Sequence, residues 1–565
     1  MGKRNKPIWW IVLIAGLFLI NFIASQVHFR FDLTEDKRYS LTPATKQLLN
    51  GLQGEMIIHV FLKGDFPSEF RKLNATTSEF LNVMREGSGS KMSYRFISPD
   101  EEIVAGKTWA DSLQAMGASP INLNVQVKSG EENKIVFPYA LVQYNGQTSL
   151  VNLFQSSKRS ISYAELNNAE AMMEYQFVKT IDKMIDPEMP FVAYATGNGE
   201  PVDYKTYDLQ QVVGGNYKLF MFNLKAQSFI PDTIKALIIV KPAEMFSDAE
   251  KLKIDQYVMR GGKVLWFVDN LHAEQDSLSF TSELIAYDRN LNIQDLLFNY
   301  GVRINPDLLM DLQCDFLPFA VGGSATDPQF EFLHWNYYPL FESRNNHIIN
   351  KNIGLVAARF VNSIDTIEVD GIKKTYLLQS SANSRTISTP ALISPNENRN
   401  VPQDALFQQK DIPAAVLLEG KFTSLFRGRA SRSQRDSLAK YGTNFIERNA
   451  SDNKMIIVAD GDMVLNDVSA KQGPLPMGVN LYTTGSQYEY QFANRDFLLN
   501  CLEYLTSKNT IIAARNKEIV LRLLDSRKVE AQKTKWQLVT IALPLLLIIL
   551  FGVLYQQIRK QRFAA

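Results

Sequence analysis

Two long apolar runs, one near each end of the chain, constrain this sequence more than any other feature. The first extends from Ile8 to Ala24 and is interrupted only by Asn21, and the second extends from Trp536 to Tyr555 without a charged residue. A helix of about 20 residues crosses the hydrocarbon core of a bilayer, which is roughly 30 Å thick. The sequence therefore predicts a membrane-spanning helix at each end of the chain.

Basic residues flank the outer sides of both runs. They are Lys3, Arg4, Lys6, Arg559, Lys560 and Arg562. Because such cations keep a flanking segment in the cytoplasm, we expect both termini to be cytoplasmic and residues 28–535 to lie on the other side of the membrane. A cleavable signal peptide is the alternative for the first run. The 17 residues of that run exceed the usual apolar length of such a peptide, so an uncleaved anchor is favoured.

Charge and cysteine content exclude several classes of protein. The chain has 60 Lys and Arg residues against 59 Asp and Glu residues, so it lacks the basic excess that proteins use to bind nucleic acid. Two cysteines, Cys314 and Cys501, cannot form a disulfide framework or a cysteine-based zinc site. A single bridge between them stays open. With only five histidines as well, we expect no metal site.

Residues 28–187 predict a thioredoxin-like domain, because strand-like and helix-like segments follow one another in the order β-α-β-α-β-β-α. The last helix is predicted at Tyr163–Ile185. An early helix is predicted to begin at Thr42-Pro43, where Thr is a good N-cap and Pro fits the first helical position. The redox cysteines of such domains are absent from Gly64–Pro67, so we expect a binding or structural module.

Residues 188–301 and 436–510 predict one doubly wound α/β domain. Their short apolar strands, such as Ala236–Val240, alternate with helices, which indicates a parallel sheet buried on both faces. The order of elements resembles a class I amidotransferase-like fold. Between the two segments, residues 302–435 predict a β-rich insertion. The polar and basic stretch Ser424–Lys440 at its end is expected to be a loop.

The remaining segments are predicted to lie in the membrane or next to it. They are a tail with the first span over 1–27, a juxtamembrane helix over 511–535, the second span over 536–556 and a basic tail over 557–565. The sequence has neither Pro nor Gly from Arg515 to Lys535. We therefore expect a stiff helix that continues into the second span.

The candidate site lies where the strands of the α/β domain end, because ligands of open α/β sheets bind at the carboxyl ends of the strands. The loops there carry Gly197, Asn198, Gly199, Glu200, Asp269, Asp460, Gly461 and Asp462. We expect these residues to bind a ligand or a partner, with the carboxylates of Asp460 and Asp462 exposed. The alternative is turn chemistry alone, since tight turns require Gly and Asp and no cofactor fingerprint accompanies the loops.

No sequence pattern supplies catalytic chemistry. The chain has no phosphate-binding loop of the ATPase type, so another subunit would have to hydrolyse ATP. An amidotransferase-like reaction needs a cysteine at a strand-to-helix turn with a histidine nearby. Cys501 instead lies on the apolar face of a helix predicted at Asn494–Leu505. We therefore expect a non-enzymatic protein without a cofactor, and an envelope hydrolase or amidotransferase-like enzyme is the less favoured alternative.

Several short phrases, taken in order, resemble one protein family. They are Phe31–Thr42 (FDLTEDKRYSLT), Asp255–Tyr257 (DQY), Arg260–Trp266 (RGGKVLW), Leu417–Phe422 (LLEGKF), Asp460–Asp462 with Asn466, Asn494–Asn500 (NRDFLLN) and Arg522–Asp525 (RLLD). Their order and spacing resemble the gliding-motility-associated ABC transporter auxiliary proteins, the GldG family of Bacteroidetes-type bacteria. That family has a Gly-His-Gly-Glu loop where this chain has Asn198, so the imidazole is missing here.

The resemblance implies a doubly anchored subunit of the bacterial inner membrane with a large periplasmic domain. It implies two partners, a multi-span permease and a cytoplasmic ATPase. It also implies the label of a substrate-binding component, for which the ligand is unknown. An envelope scaffold that binds no small molecule is the alternative.

Overall fold

A computed structural model describes most of the chain. The described residues are 14–18, 21, 40–64, 66, 68–89, 91–104, 106–118, 120–127, 130–154, 163–281, 283–324, 327–351, 353–394, 404–440, 444–506 and 526–563. They fall into two compact units, Met1–Lys517 and Glu518–Ala565. The prediction of a first membrane helix depends on residues outside this description, as does most of the predicted juxtamembrane helix.

Residues 40–187 form a four-stranded sheet with helices packed on it. The helices are α1 (Pro43–Asn50), α2 (Ser68–Gly87), α3 (Trp109–Ala115) and α4 (Tyr163–Ile185). The strands are β1 (Met56–Val60), β2 (Met92–Phe96), β3 (Glu102–Val104), β4 (Lys107–Thr108), β5 (Ile121–Val127), β6 (Gly130–Val136), β7 (Tyr139–Tyr144) and β8 (Gln147–Asn152). The sheet has the order β2-β1-β7-β8, with β1 and β2 parallel and β7 antiparallel to both of its neighbours.

Local signals in the sequence place the helices of this part. The Thr42 side chain caps α1 by accepting the N–H of Thr45, and Pro43 occupies the first turn. The Thr108 side chain and Asp111 form a capping box at the start of α3. The helices predicted at Thr42-Pro43 and Tyr163–Ile185 are therefore confirmed, whereas the thioredoxin-like identity of this part stays a prediction.

Residues 188–506 form the larger part of the first unit. Its helices are α5 (Tyr207–Gly214), α6 (Asp248–Met259), α7 (Gln275–Thr281), α8 (Gln294–Tyr300), α9 (Arg432–Ala439) and α10 (Asn494–Thr506). Its strands are β9 (Phe191–Thr196), β10 (Lys218–Asn223), β11 (Ile234–Val240), β12 (Lys263–Phe267), β13 (Leu271–His272), β14 (Leu284–Asp288), β15 (Val302–Ile304), β16 (Asp307–Asp311), β17 (Cys314–Ser324), β18 (Asp327–Phe341), β19 (Val356–Ala357), β20 (Ile364–Thr366), β21 (Ile372–Gln379), β22 (Ser384–Ser388), β23 (Ala391–Ile393), β24 (Pro413–Gly420), β25 (Asn453–Val458), β26 (Val468–Ser469) and β27 (Gly473–Pro474).

The central sheet of this part has seven strands in the order β10-β9-β11-β12-β25-β24-β21. The first five are parallel, as predicted from their apolar runs. The last two extend the sheet in antiparallel fashion, although both lie within residues 302–435. Because β24 is buried along most of its length, its apolar run did not distinguish a strand of the central sheet from a strand of an insertion.

Both faces of the central sheet are covered, since successive residues of its strands enter different cores. In β11, Leu237 and Ile239 pack in a core with α6 and α8, whereas Ile238 and Val240 pack in a second core with α5 and α10. All four side chains are fully buried. This double burial explains the continuous apolar run in the sequence.

The β-rich segment pairs its other strands mostly within itself. The strands β17 and β18 form a long antiparallel hairpin, and shorter pairs join β16 to β22 and β15 to β20. The stretch Ser424–Lys440 contains α9, so its prediction as a loop is wrong. The physical reason is a capping box, in which Ser431 and Gln434 each accept the backbone N–H of the other.

The two parts of the first unit meet where α4 passes α10. The Tyr175 hydroxyl donates to the Glu503 carboxylate, which also lies 3.7 Å from Lys179 Nζ. Further along α4, Lys183 Nζ donates to Asn216 Oδ1 at 2.7 Å. A few polar side chains thus connect the smaller sheet to the larger part.

The second unit is one helix, α11 (Ser526–Phe563). Its segment Gln532–Gln561 is long and apolar enough to cross a membrane, and its large apolar side chains are exposed. Pro544 lies inside the helix, where membrane helices tolerate it. The helix starts before the apolar run, in agreement with the expected continuation of charged helix into the span.

The substitution Gly262→Ala is expected to destabilise the first unit. Gly262 connects α6 to β12, and a Cβ placed there would lie 2.3 Å from the ring of Tyr257. The ring cannot move aside, because it is fully buried and its hydroxyl donates to Ile234 O at 3.0 Å. Overpacking of this kind costs about 1–3 kcal/mol, which calorimetry will record as a lower thermal midpoint.

The matched control is Gly214→Ala. A Cβ at Gly214 meets no atom within 4 Å, and the residue lies in α5, where Ala is the better helix former by roughly 0.5–1 kcal/mol. We therefore expect an equal or higher midpoint. An unchanged midpoint in Gly262→Ala would show that Tyr257 is not fixed as described.

Candidate functional site

A buried lysine lies at the carboxyl edge of the central sheet. Lys241 directly follows β11, and its Nζ lies 3.1 Å from Asp269 Oδ2, 3.0 Å from Glu274 Oε2 and 2.5 Å from Asp462 Oδ1. The Lys241 side chain is only 8% exposed. One ammonium group therefore holds together the chain segments that follow β11, β12 and β25.

The carboxylate of Asp460 organises the turn after β25. Its Oδ1 accepts the backbone N–H groups of Asp462 at 2.7 Å and Met463 at 3.1 Å, and its Oδ2 accepts the N–H of Arg359 at 2.8 Å. Asp460 is fully buried, so the expectation that this carboxylate is exposed is wrong. The physical reason is that the turn's own N–H groups require a buried acceptor.

Two neighbouring residues show how tightly this edge is packed. The N–H of Gly461 donates to Asp269 Oδ1. A Cβ at Gly461 would lie 2.7 Å from Lys241 Cβ, so only glycine fits between the two loops. Lys241 itself has a φ of +46°, a left-handed conformation that is uncommon for residues other than glycine.

An ion pair links the edge to the β-rich segment. The Arg359 guanidinium binds Asp467 in bidentate fashion at 2.8 and 2.7 Å and lies 5.1 Å from the centre of the Tyr338 ring. Arg359, Tyr338, Asp462 and Asn480 are among the residues around a cavity of about 20 Å³. A volume of this size accommodates one water molecule.

Burial and charge shift the pKa values of these groups in different directions. Burial raises the pKa of Asp269 and raises that of Asp460 well above its usual range. Burial opposes the charge of Lys241, but the three surrounding carboxylates outweigh it and raise the pKa of the ammonium group. Burial also opposes the charge of Asp467, yet the guanidinium of Arg359 lowers the pKa of that carboxyl.

The loop Gly197–Glu200 forms a second group at the same edge. Asn198 is fully buried; its N–H donates to Glu200 Oε2 at 2.7 Å, and its Nδ2 donates to Glu250 Oε2 at 3.1 Å. The Asn198 carbonyl accepts two backbone N–H groups from the loop after β11. Both glycines of the loop have positive φ, which explains their presence.

Two oxygens of this second group have no hydrogen-bond partner among the described residues. They are Asn198 Oδ1 and Glu200 Oε1, and both are buried. Burial also raises the pKa of Glu200. The carboxylate of Glu200 is therefore held in an unfavourable environment for its charge.

The structure brings the eight predicted residues into two adjacent sets. Asp269, Asp460, Gly461 and Asp462 surround Lys241, and the other four form the Gly197–Glu200 loop. Their role in binding stays a prediction, and the observed contacts are those of turn chemistry.

Sequence reasoning missed the cations of this edge. The position of Lys241 could have been predicted from the sequence. This lysine directly follows a fully apolar strand, and Asp follows the neighbouring strands, so the lysine and the aspartates lie at the same edge of the sheet. Arg359 carried none, since its contact with Asp467 spans 108 residues between unrelated segments.

Neither cysteine lies at this edge. Cys314 and Cys501 are both buried and are not joined by a disulfide, so the bridge that the sequence left open is not formed. Burial raises the pKa of the Cys314 thiol. Within the described ranges, no three His, Cys, Asp or Glu side chains are placed to hold a metal ion.

Comparisons with known proteins point to a transport system. A family model described as an ABC-type uncharacterized transport system matches residues 190–501, and a model for a domain of unknown function matches residues 35–143. An uncharacterized protein of Borreliella burgdorferi is 20% identical over 540 residues, which cover 93% of this chain and 95% of the relative.

Two solved structures are similar at low levels. The mmIFT52 N-terminal domain is 13% identical with a TM-score of 0.31, covering 56% of this chain and 98% of that domain. A ThuA-like protein of Parabacteroides merdae is 10% identical with a TM-score of 0.25, and the match covers 57% of this chain and 91% of that protein. Likenesses at these TM-scores support no conclusion about function.

The two aspartates of the turn after β25 are expected to differ in their effect on stability. Asp460→Ala leaves three backbone N–H groups without their acceptor. Each buried group left in this way lowers the free energy of unfolding by about 1–3 kcal/mol. Asp462→Ala removes only one of three carboxylates around Lys241, so we expect the free energy of unfolding to fall by about 1 kcal/mol. Denaturant unfolding of the two variants will measure the difference, and equal losses would contradict this assignment of contacts.

The stability conferred by Glu200 is expected to depend on pH. Because its pKa is raised in the folded state, its contribution is fully present below about pH 4.3, the unfolded value, and is lost as the pH rises through the folded pKa. Glu200→Gln keeps the shape without the charge, so its thermal midpoint relative to the wild type should rise from pH 4 to pH 7. An equal difference in midpoint between Glu200→Gln and the wild type at pH 4 and pH 7 would contradict this assignment.

Proposed function

The chain belongs to the auxiliary family of ABC-type transport systems, and we propose that it is a non-enzymatic auxiliary subunit of an ABC transporter complex. The observation that carries this proposal is the family match over residues 190–501, which includes the central sheet and both of its cores. The same residues contain both groups of the candidate site.

Membrane anchoring is the second part of the proposal. The helix Gln532–Gln561 supports it, since the helix is long and apolar enough to cross a membrane and its large apolar side chains are exposed. The basic residues Arg559, Lys560 and Arg562 favour a cytoplasmic C terminus. With the run Ile8–Ala24 as a second anchor, the folded part would lie in the periplasm, outside the inner membrane.

The proposed partners are a multi-span permease and a cytoplasmic ATPase. The sequence has no phosphate-binding loop, so ATP hydrolysis is assigned to a separate subunit. The helix α11 offers the permease a continuous apolar surface. Packing of this surface on the permease would connect the folded part to the transporter.

A role in gliding motility is the finer proposal, and it depends on the ordered sequence phrases. The phrases supply structural contacts: Asp255 accepts a hydrogen bond from the Tyr300 hydroxyl at 2.9 Å, and Asn494 Oδ1 accepts the N–H of Ala357 at 2.9 Å. They therefore support a shared fold more directly than a shared biological process.

An envelope scaffold without a small-molecule ligand is the second candidate function. It is favoured by the way the group around Lys241 satisfies its own charges, as in the contacts of Lys241 with Asp269 and Asp462. The cavity of about 20 Å³ beside Asp462 also favours a protein partner over a small ligand at this edge.

Co-purification tests the transporter proposal. Full-length tagged chain extracted from its own membrane in mild detergent is expected to retain a permease and an ATPase. Recovery of the chain without either subunit would contradict the proposal. Mass spectrometry of the purified complex is the measurement.

A helix replacement serves as the matched control. Residues 532–561 are exchanged for an unrelated apolar helix of the same length, which preserves membrane insertion. We expect less permease to be retained, because the exchanged surface no longer complements it. Full retention would show that the folded part, rather than the helix, makes the contact.

A further inference from the structure

A cationic patch lies at the end of the β-rich segment. It consists of Arg427, Arg429, Arg432, Arg435 and Lys440, all exposed, and Asp436 is the only acidic residue from Arg427 to Lys440. The whole chain has nearly equal numbers of basic and acidic residues. This patch is therefore a local concentration of positive charge in an otherwise balanced protein.

The segment before the patch is held by a buried carboxylate. Asp255 is fully buried in α6, and it accepts the Ser424 hydroxyl at 2.6 Å and the N–H of Leu425 at 2.9 Å. Leu425 and Phe426 pack in the core beneath the sheet. The patch thus begins at a rigid point of the fold.

Part of the patch is helical. Helix α9 starts at the Ser431 capping box, and Leu438 is buried on its inner side. Arg432 and Arg435 are three residues apart and so lie on neighbouring positions of one helix face. The Arg435 guanidinium lies 5.2 Å from the centre of the Phe445 ring, which further fixes its position.

Most of these cations are not neutralised within the protein. Among the described residues, the side chains of Arg429, Arg432 and Lys440 have no carboxylate within ion-pair distance. The one carboxylate near Arg427 in the described part of the chain is that of the exposed Glu447, at 3.5 Å from Arg427 Nε. Two arginines near the carboxyl edge of the central sheet contrast with them, since Arg289 pairs with Glu274 and Arg359 binds Asp467 in bidentate fashion.

We propose that this patch binds the anionic head groups of a phospholipid bilayer. Clusters of four to eight Lys and Arg residues next to a membrane span or on an amphipathic helix bind such head groups. In this patch Arg432 and Arg435 lie on α9, and the other three cations flank it. The proposal rests on the membrane anchoring argued above, because α11 would keep the bilayer at a high effective concentration near the patch. Under that condition, several weak contacts with head groups are enough for binding, whereas a free ligand would have to bind tightly.

A fluorescence experiment on the full chain tests the proposal. Ala439→Cys places a dye at the exposed end of α9, and both native cysteines are buried, so the unsubstituted chain gives the labelling background. The labelled protein is reconstituted into vesicles of phosphatidylcholine alone or with phosphatidylglycerol, each containing a lipid with a nitroxide on its head group. We expect at least about twofold more quenching with phosphatidylglycerol at low salt, falling to the phosphatidylcholine level at about 1 M salt, where charges are screened beyond roughly 3 Å.

Two sets of variants separate charge from structure. Changing Arg427, Arg429, Arg432 and Arg435 together to Gln should abolish the dependence on phosphatidylglycerol, whereas changing the same four to Lys should preserve it. Circular dichroism confirms that both sets are folded. Equal quenching in the two lipids, or unchanged quenching in the Gln set, would overturn the proposal.

Two further outcomes are distinguishable. Flotation of the vesicles reports anchoring by itself: if the chain does not float with vesicles, the proposed anchoring has failed, and with it the premise of the lipid contact. If the chain floats but soluble polyphosphate changes the dye signal while phosphatidylglycerol does not, the patch binds a soluble polyanion and the lipid proposal is wrong.

Discussion

The larger part of the first unit, residues 188–506, depends on the ion pairs made by one buried group, the ammonium group of Lys241. An unpaired buried charge costs several kcal/mol, so Lys241 is stable only when carboxylates from other segments reach it. Asp269 and Asp462 do so, and they follow strands that are far apart in the sequence. The N–H of Gly461 donates to Asp269 across 192 residues. The cluster therefore forms only when β11, β12 and β25 lie side by side in the correct register.

This dependence changes how the carboxyl edge should be interpreted. Loops at this edge commonly hold ligands, and the residues found there are of the expected types. In this chain, however, Asp460 accepts three backbone N–H groups and Asp269 compensates a lysine of the protein itself. The part of the edge around Lys241 is thus already occupied by internal contacts. A partner would meet a pre-formed and rigid surface here, with Asp462 and Glu274 as its partly exposed carboxylates.

The sequence predicted those features that depend on near neighbours. The N-cap Thr42 with Pro43 and the apolar run in β11 are local patterns, and the structure has the corresponding helix and strand. The burial of Asp460, the partners of Lys241 and the membership of β24 in the central sheet depend on contacts between distant segments. No short stretch of sequence contains both partners of such a contact, so rules based on periodicity and capping cannot predict these contacts.

The cations of this protein fall into two sets, those paired with carboxylates inside the fold and the exposed arginines around α9. Lys241 is buried among three carboxylates, and the partly buried Arg359 pairs with Asp467, so both charges are used to assemble the fold. The arginines around α9 are held by a capping box and by the anchorage of Ser424 to Asp255, yet most of them meet no carboxylate among the described residues. Mutual repulsion of close cations is unfavourable in an isolated chain. A rigid segment that concentrates such charges without neutralising them is therefore best explained by an anionic partner outside the fold.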